Sequence, residues 1–168
     1  MEETPTNPLL RIRPYVDKFL SYVLIGLMLV MVLDVTWQVV TRFILRHPSS
    51  WTEETANFLL IWIGLLGSGM AMSRKAHLGI DYFVNKLSPK KRELTRIIVF
   101  VLALFFSLVI LVYGGFKLVT VTLATNQLSP ALQVKMGYIY LALPLSGVFI
   151  AYHSLLFLLQ SFTDWRRA

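Results

Sequence analysis

Four long apolar runs divide the chain, and the polar positions gather in the intervals between them. The runs cover residues 19–41, broken only by Asp34, then 55–73, 97–116 and 136–163. A helix rises about 1.5 Å per residue, so roughly 20 residues cross a hydrocarbon core of about 30 Å. Each run meets that length or nearly does. The pattern therefore predicts an all-α membrane protein with four transmembrane helices, flanked by a polar tail over residues 1–14 and a basic tail over 164–168.

The ends of the runs carry their own signals. The first helix is expected to start near Tyr15, after Pro14, and to stop at about Leu45, ahead of Pro48. For the second helix Ser50 is the expected N-cap, and Glu53, three residues on, completes a capping box. Glu53 and Glu54 then lie where the positive end of the helix dipole favours acids, while Arg74 and Lys75 lie where the negative end favours bases. That leaves Trp51 and Glu54 free for contacts outside the helix. Between Gly79 and Pro89, the residues Ile80, Phe83, Val84 and Leu87 fall on an arc of about 100°, predicting a short amphipathic helix flat on the membrane surface. Lys86, Lys90, Lys91 and Arg92 beside it would meet lipid headgroups. The third helix is expected from Pro89 past Lys117, with no breaker before Asn126. Ser129 and Pro130 read as cap and first residue of a single turn, and the fourth helix as residues 138–162, with Pro144 kinking it or sitting near its start.

Composition agrees with the pattern. The 168 residues are 56% hydrophobic and 15% charged, with a mean hydropathy of +0.64, too apolar for an ordinary soluble domain. The first run is too long for a signal-peptide core and has no small-residue cleavage signature after it, so it reads as a retained anchor. The net charge of +7 comes from an uneven distribution of bases. Arg11, Arg13, Lys18, Arg74, Lys75, Lys86, Lys90, Lys91, Arg92, Arg96, Arg166 and Arg167 lie on one side of the predicted spans; only Arg42, Arg46, Lys117 and Lys135 lie on the other. Positive loops resist translocation, which places both termini in the cytoplasm. A nucleic-acid partner would need a contiguous basic face on a soluble fold, and none is visible.

Candidate chemistry is sparse. There are no cysteines, hence no disulfide framework or thiolate metal site. Asp34 is the one acid inside a predicted span, and an intramembrane carboxylate raises the prospect of a proton or cation relay; Gln38, Thr41 and Arg42 form a ladder along the same helix that could satisfy it. Of the three histidines only His153 lies in a span, which argues against bis-histidine haem ligation and against a respiratory-enzyme anchor. His77 and Asp81, four apart, can pair on one helical turn. No phosphate-binding glycine loop, H-E-x-x-H or G-x-S-x-G motif is present, so neither ATP hydrolysis nor another enzymatic activity is expected and no cofactor is implied. Gly64, Gly67, Ser68 and Ala71 in the second helix, with Gly114 and Gly115 in the third, allow close helix approach, either within the bundle or to a partner. The inverted repeats of a self-sufficient transporter are missing.

The order of "WTEETANFLLIWIGLLGSGMAMSRKAHLGIDYF" from Trp51, "LSPKKRE" before the third helix and "SPALQVKMGYIYLALPLSG" from Ser129 resembles the small membrane subunit of tripartite ATP-independent periplasmic (TRAP) transporters. Matching positions are Trp51, Glu53, Glu54, Gly67, Arg74, His77, Asp81, Pro130 and Pro144. The last block departs from the family with Val134 and Lys135, where Ile-Pro is frequent. The resemblance implies a bacterial inner-membrane scaffold that pairs with a large transport subunit and helps receive a periplasmic solute-binding protein. Uptake of a carboxylate-bearing solute, such as a sialic acid or a C4-dicarboxylate, would be driven by sodium. It also implies that the solute and sodium sites lie in the large subunit, so that Trp51, Glu53, Glu54, Gly64, Gly67, Arg74, His77, Asp81, Pro130 and Pro144 serve structure and partner contact. The alternative reading is a stand-alone exporter coupled through Asp34.

Overall fold

A computed structural model describes residues 8–47, 49–74 and 89–167. Four of its helical stretches, Ile12–Phe43, Ser50–Ser73, Leu94–Ala124 and Met136–Phe162, are long and apolar enough to cross a membrane. The expected amphipathic helix, with His77 and Asp81, lies outside the described residues.

Helix α1, Pro8–Phe43, begins seven residues before the expected start and runs through Pro14. A proline interrupts a helix by removing one N–H and crowding the carbonyl four residues back. Here that loss falls in the second turn, close to a helix end. Pro8 supplies a first residue with φ already set. The helix stops where Arg46 turns left-handed at φ 54°. There the Leu45 and His47 N–H groups donate to the carbonyls of Val40 and Thr41, each at 3.1 Å, satisfying acceptors that the helix end leaves open.

Helix α2 is Ser50–Ser73, and its N-cap is Ser49 rather than Ser50. The one-residue shift moves the third helical position from Glu53 to Thr52, so the expected capping box does not form. Thr52, fully buried, donates its hydroxyl to the Ser49 carbonyl at 2.8 Å and receives the Ser49 hydroxyl at 2.7 Å. Glu53 is left facing outward.

The third span is one rod of three parts: α3 (Pro89–Phe106), a π-helical segment (Ser107–Gly114) and α4 (Gly115–Ala124). The continuous rod matches the sequence expectation; the wide π turns in its middle do not announce themselves in the sequence. The fourth span is broken into α5 (Met136–Tyr140) and α6 (Ala142–Arg167). Pro144 sits in the first turn of α6, where its missing N–H leaves the Tyr140 carbonyl without a helical donor, and the helix divides at Leu141.

Helix α6 is the centre of the bundle. Half of its span is buried, against 11% for α1, and it packs on α2, α3, the π segment and α4, while α1 packs chiefly on α2. Met72, Phe100 and Phe157 form the shared core, with the two phenyl rings 5.4 Å apart. Because lipid tails are as apolar as leucine, close packing rather than water exclusion holds such helices together. Gly147 shows the consequence. A Cβ there would meet the Leu111 Cβ at 2.7 Å and the Ser107 carbonyl at 3.1 Å, so the π segment and α6 approach in a way only glycine permits. Outward residues such as Phe19, Ile25, Leu33, Phe105 and Ile110 stay apolar.

Candidate functional site

At the end of the bundle where α2 starts, Glu54 ties the bundle to the connector between α4 and α5. Its Oε2 accepts the Ala131 N–H at 2.9 Å and the Leu132 N–H at 2.6 Å. The connector explains the geometry. Asn126 and Gln133 adopt left-handed φ values of 49° and 55°, and an antiparallel bridge pairs Leu128 with Lys135. Between them Pro130 opens a single turn in which the Gln133 N–H donates to the Ser129 carbonyl at 3.2 Å. Pro130 has no N–H, so Ala131 and Leu132 carry the turn's free donors, and a carboxylate from another helix takes both as charge-assisted bonds. The buried Ser129 hydroxyl instead accepts the Val134 N–H at 3.2 Å. Trp51 and Glu53 face outward, three positions and one position before this anchor.

The opposite end holds a cluster that sequence reasoning missed. His153, fully buried, has Nε2 at 2.8 Å from Asp17 Oδ1 and Nδ1 at 2.8 Å from the Phe149 carbonyl. A neutral imidazole has one N–H, yet both nitrogens face acceptors. Arg13 lies 3.6 Å from the second Asp17 oxygen, donates to the Ser73 carbonyl at 2.7 Å and stacks over Phe157 at 5.0 Å. One cluster thus joins the start of α1, the end of α2 and the middle of α6. Both His153 nitrogens are committed, a reason beyond histidine count against haem ligation. The available signal was the i,i+4 spacing of Arg13 and Asp17; their partners depend on which helices are neighbours.

Arg74 faces outward past the end of α2, and its N–H closes the last turn onto Met70 at 3.2 Å; the side chain that secures this end is Arg13. Gly64 and Gly67 have nothing within 4 Å of an added Cβ, whereas Gly69 would bring one to 3.1 Å from the Phe149 Cβ. The close α2–α6 approach is therefore at Gly69. Asp34 is 8% exposed and its Oδ2 has no hydrogen-bond partner among the described residues. The expected ladder does not reach it, because the Thr41 hydroxyl donates to the Gln38 carbonyl at 2.9 Å. Among the described residues no group of three or more His, Asp or Glu is arranged to hold a metal.

Residues 31–164, most of the chain, match the profile described as "Tripartite ATP-independent periplasmic transporters, DctQ component". The chain belongs to this family. The sialic acid TRAP transporter small permease protein SiaQ of Vibrio cholerae is 28% identical over 153 residues, covering 86% of this chain and 82% of that protein. The isethionate TRAP transporter permease protein DctMQ of Oleidesulfovibrio alaskensis is 31% identical over 129 residues, which make up 73% of this chain and 20% of that much longer one. The C4-dicarboxylate TRAP transporter small permease protein DctQ of Vibrio cholerae is 24% identical over 102 residues, covering 61% and 44%. These relatives are transporter permease proteins, not enzymes. This DctQ component is accordingly a multi-pass membrane protein and a TRAP small permease subunit, and its two polar clusters tie helix to connector and helix to helix.

Proposed function

We propose that this small subunit is the static part of a sodium-driven uptake system in the bacterial inner membrane. It would sit against a large transport subunit that carries the solute and sodium sites. The observation that carries the reading is the DctMQ relative, in which the matched segment makes up only a fifth of one longer permease chain. A sequence that is elsewhere part of a permease is expected to work in contact with one. The solute is an organic acid anion. A carboxylate is the first expectation, supported by the sialic acid and C4-dicarboxylate relatives; the isethionate relative extends the range to a sulfonate.

The distribution of bases supports cytoplasmic termini. The Arg13–Asp17–His153 cluster and Arg74 then lie toward the cytoplasm, and the Glu54 anchor toward the periplasm; for His77 and Asp81 a contact role is proposed from the sequence resemblance alone. Outward-facing Trp51 and Glu53, beside a connector held by Glu54 and shaped by Pro130, suit reception of the solute-binding protein. Gly64 and Gly67 are open to a helix of the large subunit, and Pro144 sets the direction of α6.

Reconstitution tests this reading. The large subunit and this chain together should give sodium-dependent uptake of solute delivered by the binding protein, and this chain alone should give none. Glu53→Gln with Glu54→Gln should impair uptake or assembly while the binding protein still binds solute. The partnerless Asp34 oxygen favours a second reading, an exporter coupled through that carboxylate. Cation-coupled flux by this chain alone would establish it and sink the scaffold role.

A further inference from the structure

A cavity of about 430 Å³ opens between the last two turns of α1 and the capped start of α2, lined by Gln38, Arg42, Ser49, Ser50 and Glu53. It carries a base and an acid that do not meet. Among the described residues neither Arg42 nor Glu53 has an ion-pair partner; the Arg42 guanidinium only approaches the Phe43 ring, at 5.9 Å. Both face outward. The cavity also has a defined depth. Arg42 is the penultimate residue of the first span and Ser50 the first of the second, so the site lies where hydrocarbon gives way to headgroups. Trp37 and Trp51, 48% and 46% exposed, lie on the same two helix ends, and indoles favour that level of a bilayer.

A base and an acid on one cavity match a ligand that carries an anion and a cation a few ångströms apart. We propose that the cavity holds the headgroup of a phosphoethanolamine phospholipid, with Arg42 and the Ser50 hydroxyl on the phosphate and Glu53 on the primary ammonium. Guanidinium–phosphate pairing supplies the directional bonds. Glu53 supplies the selectivity, because a choline headgroup has no N–H to donate to it and a glycerol headgroup has no cation to set against it. The site needs neither the large subunit nor a particular sidedness, so it stands or falls separately from the transport reading.

The test uses the full chain in nanodiscs containing equal parts phosphatidylethanolamine, phosphatidylcholine and phosphatidylglycerol, released into mild detergent for native mass spectrometry. Phosphatidylethanolamine should be retained at least fivefold over each of the others. Glu53→Gln and Arg42→Gln should each cut that retention at least fivefold, and Arg46→Gln, outside the cavity lining, should leave it unchanged. Equal retention of the three lipids by the unmodified chain, a comparison that needs no variant to fold, would overturn the proposal, as would full retention in both cavity variants. Soluble phosphoethanolamine, which shares the chemistry, should not displace the lipid at millimolar concentration; displacement would assign the site to a soluble zwitterion and end the lipid assignment.

Discussion

His153 Nε2 and Asp17 Oδ1, 136 positions apart in sequence, lie 2.8 Å from each other. The bond matters because α1 otherwise rests chiefly on α2, so this contact fixes the first span directly to the central helix. Removing one partner strands a fully buried imidazole nitrogen, and a buried unsatisfied group of this kind costs about 1–3 kcal/mol. Asp17→Ala should lower stability by roughly that amount. Asp17→Asn should lose less, since its carboxamide oxygen still accepts from the ring. Reversible unfolding in mixed micelles measures both, and an Asp17→Ala protein as stable as the parent would show that the cluster carries no load.

Glu54 makes a comparable prediction at the other end. Hydrogen bonds to charged groups contribute about 1.5–3 kcal/mol, but this carboxylate is partly solvated, so the lower end applies. Glu54→Ala should speed amide exchange at Ala131 and Leu132 about tenfold or more, while amides in α6 keep their protection. Mass-spectrometric hydrogen exchange across residues 126–136 reads the change; unchanged rates at both amides would mean that the connector holds its shape without the acid.

The four spans were legible because hydrophobic run length is set by the bilayer and needs no knowledge of neighbours. Pro144 and the Ser129–Pro130 turn were legible for a similar reason: proline acts on its own backbone. The capping assignment slipped by one residue because Ser49 and Ser50 are chemically equivalent caps, and only the position of Thr52 against the bundle decides between them. The helix start slipped because Pro14 reads as a boundary, although in a second turn it forfeits little. Glycines marked where helices can approach but not where they do: Gly69 and Gly147 take the close contacts, and Gly64 and Gly67 face outward. The Asp17–His153 bond was invisible because it joins residues whose proximity exists only once α1 and α6 are placed.

That division of the glycines separates two kinds of defect. Gly147→Ala would drive a methyl into the Leu111 side chain and the Ser107 carbonyl, and overpacking of this sort costs about 1–3 kcal/mol. Gly64→Ala meets open space and gains helix propensity of up to about 1 kcal/mol. The first should lower the thermal midpoint of the isolated chain by several degrees, and the second should leave it level or raise it. If Gly64 also receives a partner helix, as proposed, Gly64→Leu should keep the isolated fold and weaken co-purification of the large subunit. Equal stability of Gly147→Ala and the parent would mean that the π segment and α6 can part at no cost.

Lys135 offers the reverse test, a substitution that should strengthen the protein. It is the N-cap of α5 with φ −64°, the value a proline ring imposes. The bridge to Leu128 runs through the bonds from Ser129 N–H to the Val134 carbonyl and from Met136 N–H to the Gln127 carbonyl, both 2.9 Å. The Lys135 N–H donates to nothing among the described residues, so a proline there removes no hydrogen bond. A proline that fits the native backbone stabilises by about 0.4–1 kcal/mol, chiefly by restricting the unfolded chain. Lys135→Pro should therefore raise the unfolding midpoint by a degree or more and leave exchange at Ala131 and Leu132 no faster. A lower midpoint would mean that Val134, which a following proline confines to extended conformations, cannot hold its place in the bridge.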